Sequence, residues 1–243
     1  MVWLGCALGA SHWPLSGAPV PKATLPPVVL WAWERTEDLR FLHPGEAGVA
    51  FLARTLEVHG KTFTVRSRRN PLHLPPGVPT VAVVRIEVDR PKQLEWQLAP
   101  MVHAIAELWE LPGITGLQID FDATRSQRAF YLDLLRRLCG TRPQGKGLSI
   151  TALGSWCLGD PWIRDLPVDE AVPMLFRMGP EARSVKEALG RRGDFAVPLA
   201  RTSVGYSLDE PFLPVPPGRR VYVFDPRPWT LQDFRSLKAR LGR

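Results

Sequence analysis

Eight short segments of apolar and β-branched residues recur along the chain, and helical patterns lie between most of them. The segments are residues 28–33, 48–56, 80–87, 116–122, 147–153 and 170–176, a stretch within 195–206, and 220–225. Amphipathic helical patterns cover about residues 91–111, 126–139, 181–189 and 231–241. Parallel strands need crossover connections of this kind, and 243 residues is a usual length for one barrel. The sequence therefore predicts a single α/β domain, a (β/α)8 barrel of the TIM type.

The predicted barrel is irregular. Residues 61–68 form a further β-type segment and residues 70–79 are rich in proline, so a hairpin and a loop replace the helix after the second strand. No helical pattern follows the seventh strand, and only a short helical piece near residues 37–42 follows the first. An open doubly wound sheet is the structural alternative. It is disfavoured because no glycine-rich phosphate loop follows the first strand.

The N-terminal segment, residues 1–25, is predicted to lie outside the barrel domain of residues 26–243. Its short apolar stretch and proline-rich continuation are typical of an export-signal remnant that lacks its basic start, and Leu4-Gly5-Cys6 resembles a lipoprotein cleavage site. We therefore expect a periplasmic or secreted protein, with a lipid anchor as a variant; a frayed tail of the mature domain is the alternative. The sequence contains no run of about 18 apolar residues, so it predicts no membrane span.

Composition disfavours several classes of function. The net charge of +7 arises from basic residues interleaved with acidic ones, and no nucleic-acid-binding motif accompanies them, so we expect no nucleic-acid partner. The three cysteines form no Cys-x-x-Cys pair and the five histidines are dispersed. We therefore expect no cysteine–histidine metal site and no cofactor.

The fourth predicted strand carries two carboxylates. Its apolar residues alternate with Gln118, Asp120 and Asp122, so the two aspartates project to the same side, about 6–7 Å apart at the backbone. A strand between apolar strands is buried on both faces, where an unpartnered carboxylate is costly. The pair therefore either bonds to structural arginines or takes part in chemistry. Ligation of a divalent metal is a further alternative, which two carboxylates alone indicate only weakly.

Polar and aromatic residues also stand at the carboxyl ends of the other predicted strands, where barrel enzymes build their sites. With carboxylates for proton transfer, aromatic rings to stack on sugars and arginines to hold polar groups, the set is typical of a carbohydrate site. Each member has a structural alternative, such as core packing for the tryptophans, a counterion role for the arginines and a turn cap for the last aspartate. Besides the two aspartates, the predicted binding residues are Glu34, Arg85, Gln118, Trp156, Arg177, Tyr206 and Asp225.

The segment Gly116–Asp122 resembles the fourth-strand signature of the family 18 glycoside hydrolases (chitinase-like proteins), Gly-x-Asp-x-Asp-x-Glu. By that match Asp120 takes the place of the aspartate that orients and tunes the catalytic acid. Asp122 takes the place of the acid, which is normally glutamate, and Gln118 replaces the first aspartate. Asp122 is one methylene shorter than glutamate, and misplacements of about that size cost about a hundredfold in rate.

Four longer segments resemble a bacterial family of unknown function, the domain-of-unknown-function 3142 family. The resemblance implies a barrel related to glycosidases in an exporting bacterium, and no established activity. It is carried by residues 28–35, 117–127, 155–162 and 169–179.

These observations favour a glycoside-hydrolase-like barrel that acts on a polysaccharide. Asp122 would protonate the leaving oxygen, Asp120 would support it, and the resemblance implies an N-acetyl group of the substrate as nucleophile. The alternative is a non-catalytic barrel of the cell envelope that binds glycan or a protein partner, which the departures at positions 118 and 122 favour. A structural envelope protein is a third hypothesis.

Overall fold

The computed structural model describes residues 25–89 and 94–242. The predictions for the N-terminal segment therefore lie outside the described residues, except at Leu25. None of the helices within these two ranges is long and apolar enough to cross a membrane. The strands are β1 (Val28–Ala32), β2 (Glu37–Asp38), β3 (Gly48–His59), β4 (Thr62–Ser67), β5 (Leu72–His73), β6 (Thr80–Asp89), β7 (Ile114–Asp120), β8 (Gly147–Leu153), β9 (Glu170–Met174), β10 (Ser203–Ser207) and β11 (Arg220–Phe224). The α-helices are α1 (Leu98–Ala106), α2 (Arg128–Thr141), α3 (Gly154–Leu158), α4 (Ala182–Arg192) and α5 (Leu231–Arg240).

Eight of the strands form a closed parallel barrel. Their order around it is β1, β3, β6, β7, β8, β9, β10 and β11, and pairing of β1 with both β3 and β11 closes the ring. An α-helix follows each of β6, β7, β8, β9 and β11. The predicted (β/α)8 barrel of the TIM type is confirmed.

The irregular connections agree in part with the sequence. The predicted hairpin is present, because β4 runs antiparallel to β3, and the described connection from β10 to β11 contains no helix. The prediction of a short helical piece near residues 37–42 was wrong. Glu37 lies in β2, which pairs with β5, and its buried carboxylate accepts hydrogen bonds from Arg35 Nε at 2.6 Å and Trp229 N at 2.9 Å. The pairing with β5 and the bond from Trp229, a residue distant in the chain, hold the segment extended.

Alternation along the strands separates two apolar layers. On β7, Leu117 and Ile119 point outward into the core beneath the helices, whereas Gln118 points into the barrel. The apolar residues inside the barrel are Val29, Trp31, Ala50, Leu52, Val81, Val83, Val172 and Tyr222.

A hydrogen-bonded polar cluster lies inside the barrel near the amino ends of its strands. Glu170, the first residue of β9, accepts hydrogen bonds from Arg220 at 3.0 Å, Tyr222 Oη at 3.0 Å and Thr202 at 3.2 Å. Each of these partners satisfies part of the hydrogen-bonding capacity of the buried carboxylate, as burial of a charge requires. These side chains narrow this end of the barrel and leave a small cavity of about 120 Å³ beside them.

Trp31 lies in the interior between this polar cluster and the carboxyl ends of the strands. Its Nε1 donates to Gln118 Oε1 at 2.8 Å, so the indole of a β1 residue reaches β7 across the interior. The ring passes β10 at Gly205, where an added Cβ would lie 2.7 Å from Trp31 Cη2. Glycine at position 205 is therefore what lets the indole occupy this place.

We predict that Gly205→Ala destabilises the protein by about 1–3 kcal/mol, because the methyl group overpacks a rigid ring in the barrel interior. The measurement is the urea unfolding midpoint of the full chain. Gly140→Ala in α2 is the matched control, since no atom lies within 4 Å of its added Cβ and alanine favours helix. Equal stability of Gly205→Ala and the wild type would contradict the packing described for Trp31.

Candidate functional site

A cavity of about 670 Å³ opens at the carboxyl ends of the barrel strands. Its lining includes the last residues of several strands, Asp120 of β7, Met174 of β9 and Phe224 of β11. This is the end at which barrel enzymes carry their sites. The cavity has a polar wall from β6, β7 and β8, and an aromatic wall from β1, β9 and β11.

The polar wall is built around Asp120. Its strand pairs in register with β6, which places Arg85 beside it, and Thr151 Oγ1 on β8 donates to Asp120 Oδ1 at 2.7 Å. Asp122 lies two residues beyond Asp120, outside the strand and exposed to solvent at the rim. The two carboxylates thus share one cavity but differ in their contact with water.

Burial dominates the electrostatics of the two aspartates. Burial, together with the smaller effect of the negative charge of Asp122, raises the pKa of Asp120 from 3.8 to about 6, against the hydrogen bond from Thr151. Partial burial of its carboxylate also raises the pKa of Asp122, against the positive charge of Arg85. Near neutral pH the pair therefore holds a proton part of the time, and Asp120 is the better protected site for it.

The aromatic wall is a connected group of rings. Phe176 stacks on Phe224 with centroids 6.1 Å apart and an angle of 12° between planes. Trp33 meets Phe224 edge-on at 6.2 Å, and the guanidinium carbon of Arg177 lies 5.0 Å from the centre of the same ring. Trp31 contacts Phe176 at 6.0 Å from below. These residues present apolar faces opposite the carboxylates.

The structure brings four of the predicted site residues together in this cavity, namely Asp120, Asp122, Arg85 and Arg177. Neither arginine forms an ion pair with either aspartate among the described residues; Arg85 Nε pairs with Glu87 at 2.9 Å instead. The alternative in which both arginines are direct counterions of the pair therefore does not describe this site.

The other predicted binding residues lie away from the cavity lining. Gln118 is buried beneath it and bonded to Trp31, and Glu34 accepts a hydrogen bond from Arg66 of the hairpin at 2.6 Å. Trp156 lies in α3 and packs against Trp162 at 5.0 Å, in the helix layer. The short helix places the indole in the outer core, away from the mouth.

Tyr206 and Asp225 also point outside the barrel. The hydroxyl of Tyr206 donates to the Leu213 carbonyl at 2.5 Å, and its ring stacks on Phe212. The buried Asp225 carboxylate accepts the Arg227 backbone N–H at 2.8 Å. These positions assign Tyr206 to packing of the connection from β10 to β11 and Asp225 to the turn after β11.

Sequence reasoning missed Thr151, Phe176 and Phe224. The signal for them was the parity of each strand, because residues two apart share a face. Phe224 follows the interior residue Tyr222 by two positions, whereas the predicted Asp225 has the opposite parity. Thr151 lies in register with the site through the pairing of β7 with β8.

No family model, curated protein or solved structure matches this chain. Within residues 25–89 and 94–242, no group of three or more His, Cys, Asp or Glu side chains is placed to hold a metal ion.

We predict that ionisation of Asp120 lowers the stability of the protein as pH rises from about 4 to about 6. The native state binds its proton more tightly than the unfolded state, with a pKa of about 6 against 3.8, so ionisation in this window favours unfolding. Urea unfolding at several pH values measures the slope. Asp120→Asn removes this contribution, whereas Asp133→Asn on the exposed face of α2 retains it. Identical slopes in Asp120→Asn and the wild type would contradict the raised pKa.

Proposed function

We propose that this protein is a glycoside hydrolase that acts on a polysaccharide. The observation that carries the proposal is the pairing of Asp120 and Asp122 with the aromatic wall of Trp33, Phe176 and Phe224 in one cavity. Carboxylates supply the proton transfer and charge stabilisation that glycosidic cleavage needs, and aromatic faces bind the apolar faces of sugar rings. The predicted export signal agrees with a polysaccharide substrate outside the cytoplasm.

The environments of the two carboxylates suggest how they divide the work. In pairs of catalytic carboxyl groups, the more buried one keeps its proton and acts as the acid, and the more solvated one stays ionised. By this rule Asp120 donates its proton to the glycosidic oxygen as the bond from the anomeric carbon to that oxygen breaks, and Asp122 stabilises the positive charge that develops on the sugar. A water molecule then bonds to the anomeric carbon and gives up a proton to the Asp120 carboxylate, which restores the acid. The family 18 resemblance assigns the acid to Asp122 instead, so the two assignments lead to different experiments.

Non-catalytic glycan binding is the second candidate, and the floor of the cavity favours it. In the chitinase-like signature an aspartate stands where this chain has Gln118, and here the amide is committed to a hydrogen bond with Trp31. A site without that charge still binds sugar through its aromatic wall. Under this alternative a bound glycan is never cleaved, and Trp33→Ala weakens its binding while Asp122→Asn leaves the binding unchanged.

We predict that the two aspartate variants differ in how their cleavage rates depend on the leaving group, and that this difference identifies the catalytic acid. A panel of polysaccharides, assayed for release of reducing ends, first defines a substrate, and a dinitrophenyl glycoside of the same sugar provides a leaving group that needs no protonation. Asp120→Asn should lower cleavage of the natural linkage by about 10²–10⁴-fold and spare the activated glycoside. Asp122→Asn should lower the cleavage of both.

Asp133→Asn on α2 is the control and should cleave both substrates at the wild-type rate. The reverse pattern, with the activated glycoside spared by Asp122→Asn, would transfer the acid role to Asp122. Full activity of both site variants on both substrates would contradict the hydrolase proposal.

A further inference from the structure

Arg177 has an unusual backbone conformation at the mouth of the cavity. With φ at 50°, it is the one non-glycine residue of the described chain in the left-handed region, which is unfavourable for most side chains. Its backbone N–H donates to Glu210 Oε1 at 3.0 Å, which fixes the peptide. Strained residues of this kind persist where the surrounding structure holds a side chain in place, and they cluster at ligand sites.

The guanidinium of Arg177 differs from its neighbours in having no ion-pair partner among the described residues. Arg85, the other arginine in the lining of the cavity, pairs with Glu87 at 2.9 Å. The closest recorded partner of the Arg177 group is the face of Phe224. Stacking on a ring leaves the N–H groups at the edge of the guanidinium available to a ligand.

A planar guanidinium with free edge donors is suited to a carboxylate, which accepts two parallel hydrogen bonds from it. Because Arg177 also lines the cavity that contains Asp120 and the aromatic wall, a sugar on that wall lies in the same cavity as this cation. We propose that the glycan recognised here is acidic, and that Arg177 binds the carboxylate of one of its sugar residues. This inference rests on the proposed glycan site and specifies its substrate class.

The experiment compares acidic glycans with their neutral counterparts. Oligosaccharides of galacturonate, of alginate and of glucuronate are each tested beside a carboxyl-reduced form, in which the carboxylate has become a hydroxymethyl group. Calorimetry measures binding to the full-length protein. We expect at least one acidic member to bind and its reduced form to bind at least tenfold more weakly, because the charge-assisted hydrogen bonds are lost.

Variants at position 177 test the residue itself. Arg177→Asn removes the guanidinium while keeping a residue that tolerates the left-handed region, and should weaken binding of the acidic glycan by about tenfold to a hundredfold. Arg177→Lys keeps the charge but loses the paired donors, so its affinity for the acidic glycan should lie between those of the wild type and Arg177→Asn. Arg183→Asn in α4, whose guanidinium pairs with Glu187 on the exposed face, is the control and should bind as the wild type does.

The outcomes separate this inference from the hydrolase proposal. Binding of an acidic glycan that depends on Arg177, without cleavage, supports the acidic ligand and contradicts the hydrolase. Asp120-dependent cleavage of a neutral glycan, with no preference for the acidic form, supports the hydrolase and overturns the role of Arg177. Equal affinity of Arg177→Asn and the wild type for an acidic glycan also overturns it.

Discussion

The hydrogen bond between Trp31 and Gln118 fixes where the cavity begins. It spans the barrel from β1 to β7 and depends on the missing side chain at Gly205. Below the indole lie Tyr222 and the ion pair of Glu170 with Arg220, which line a smaller cavity of about 120 Å³. Above the indole, the interior-facing residues of the strands line the cavity of about 670 Å³. The indole of Trp31 thus lies between a small cavity at the amino ends of the strands and one large enough for a sugar at their carboxyl ends.

The same arrangement sets the chemistry of the mouth. Asp120 is the interior-facing residue two positions beyond Gln118 on β7, so it lies just above the floor and is partly buried. Asp122 lies two residues further on and projects to the same side, beyond the end of the strand, where it is exposed to solvent. A short run of alternating residues therefore places one carboxyl group in a more buried setting than the next. That difference is what two carboxyl groups need to play unlike roles.

Much of the fold was accessible from the sequence because apolar periodicity reports which face of a strand is buried. The eight barrel strands, the hairpin after β3 and the carboxylate pair all follow from local patterns. Hydrogen-bond partners that are distant in the chain could not be predicted from it. Glu37 is held in β2 by hydrogen bonds from Arg35 and Trp229, and no local sequence pattern predicts the bond from Trp229.

About half of the site could be predicted from the sequence. Asp120 and Asp122 stood out because their strand is otherwise apolar, and Arg85 and Arg177 followed from their positions near strand ends. Trp156 was expected to bind a substrate because it follows the end of its strand; the short helix α3 places it in the outer layer instead. The aromatic wall was largely missed because a phenylalanine at a strand end resembles core until the direction of its side chain is known.

The most direct test of this account is a crystal structure of Asp122→Asn bound to an oligosaccharide from the glycan panel. The account predicts a sugar ring on Phe176, Phe224 or Trp33, with a glycosidic oxygen within hydrogen-bonding distance of Asp120. A glycan bound outside this cavity, with the aromatic wall left in contact with solvent, would contradict it.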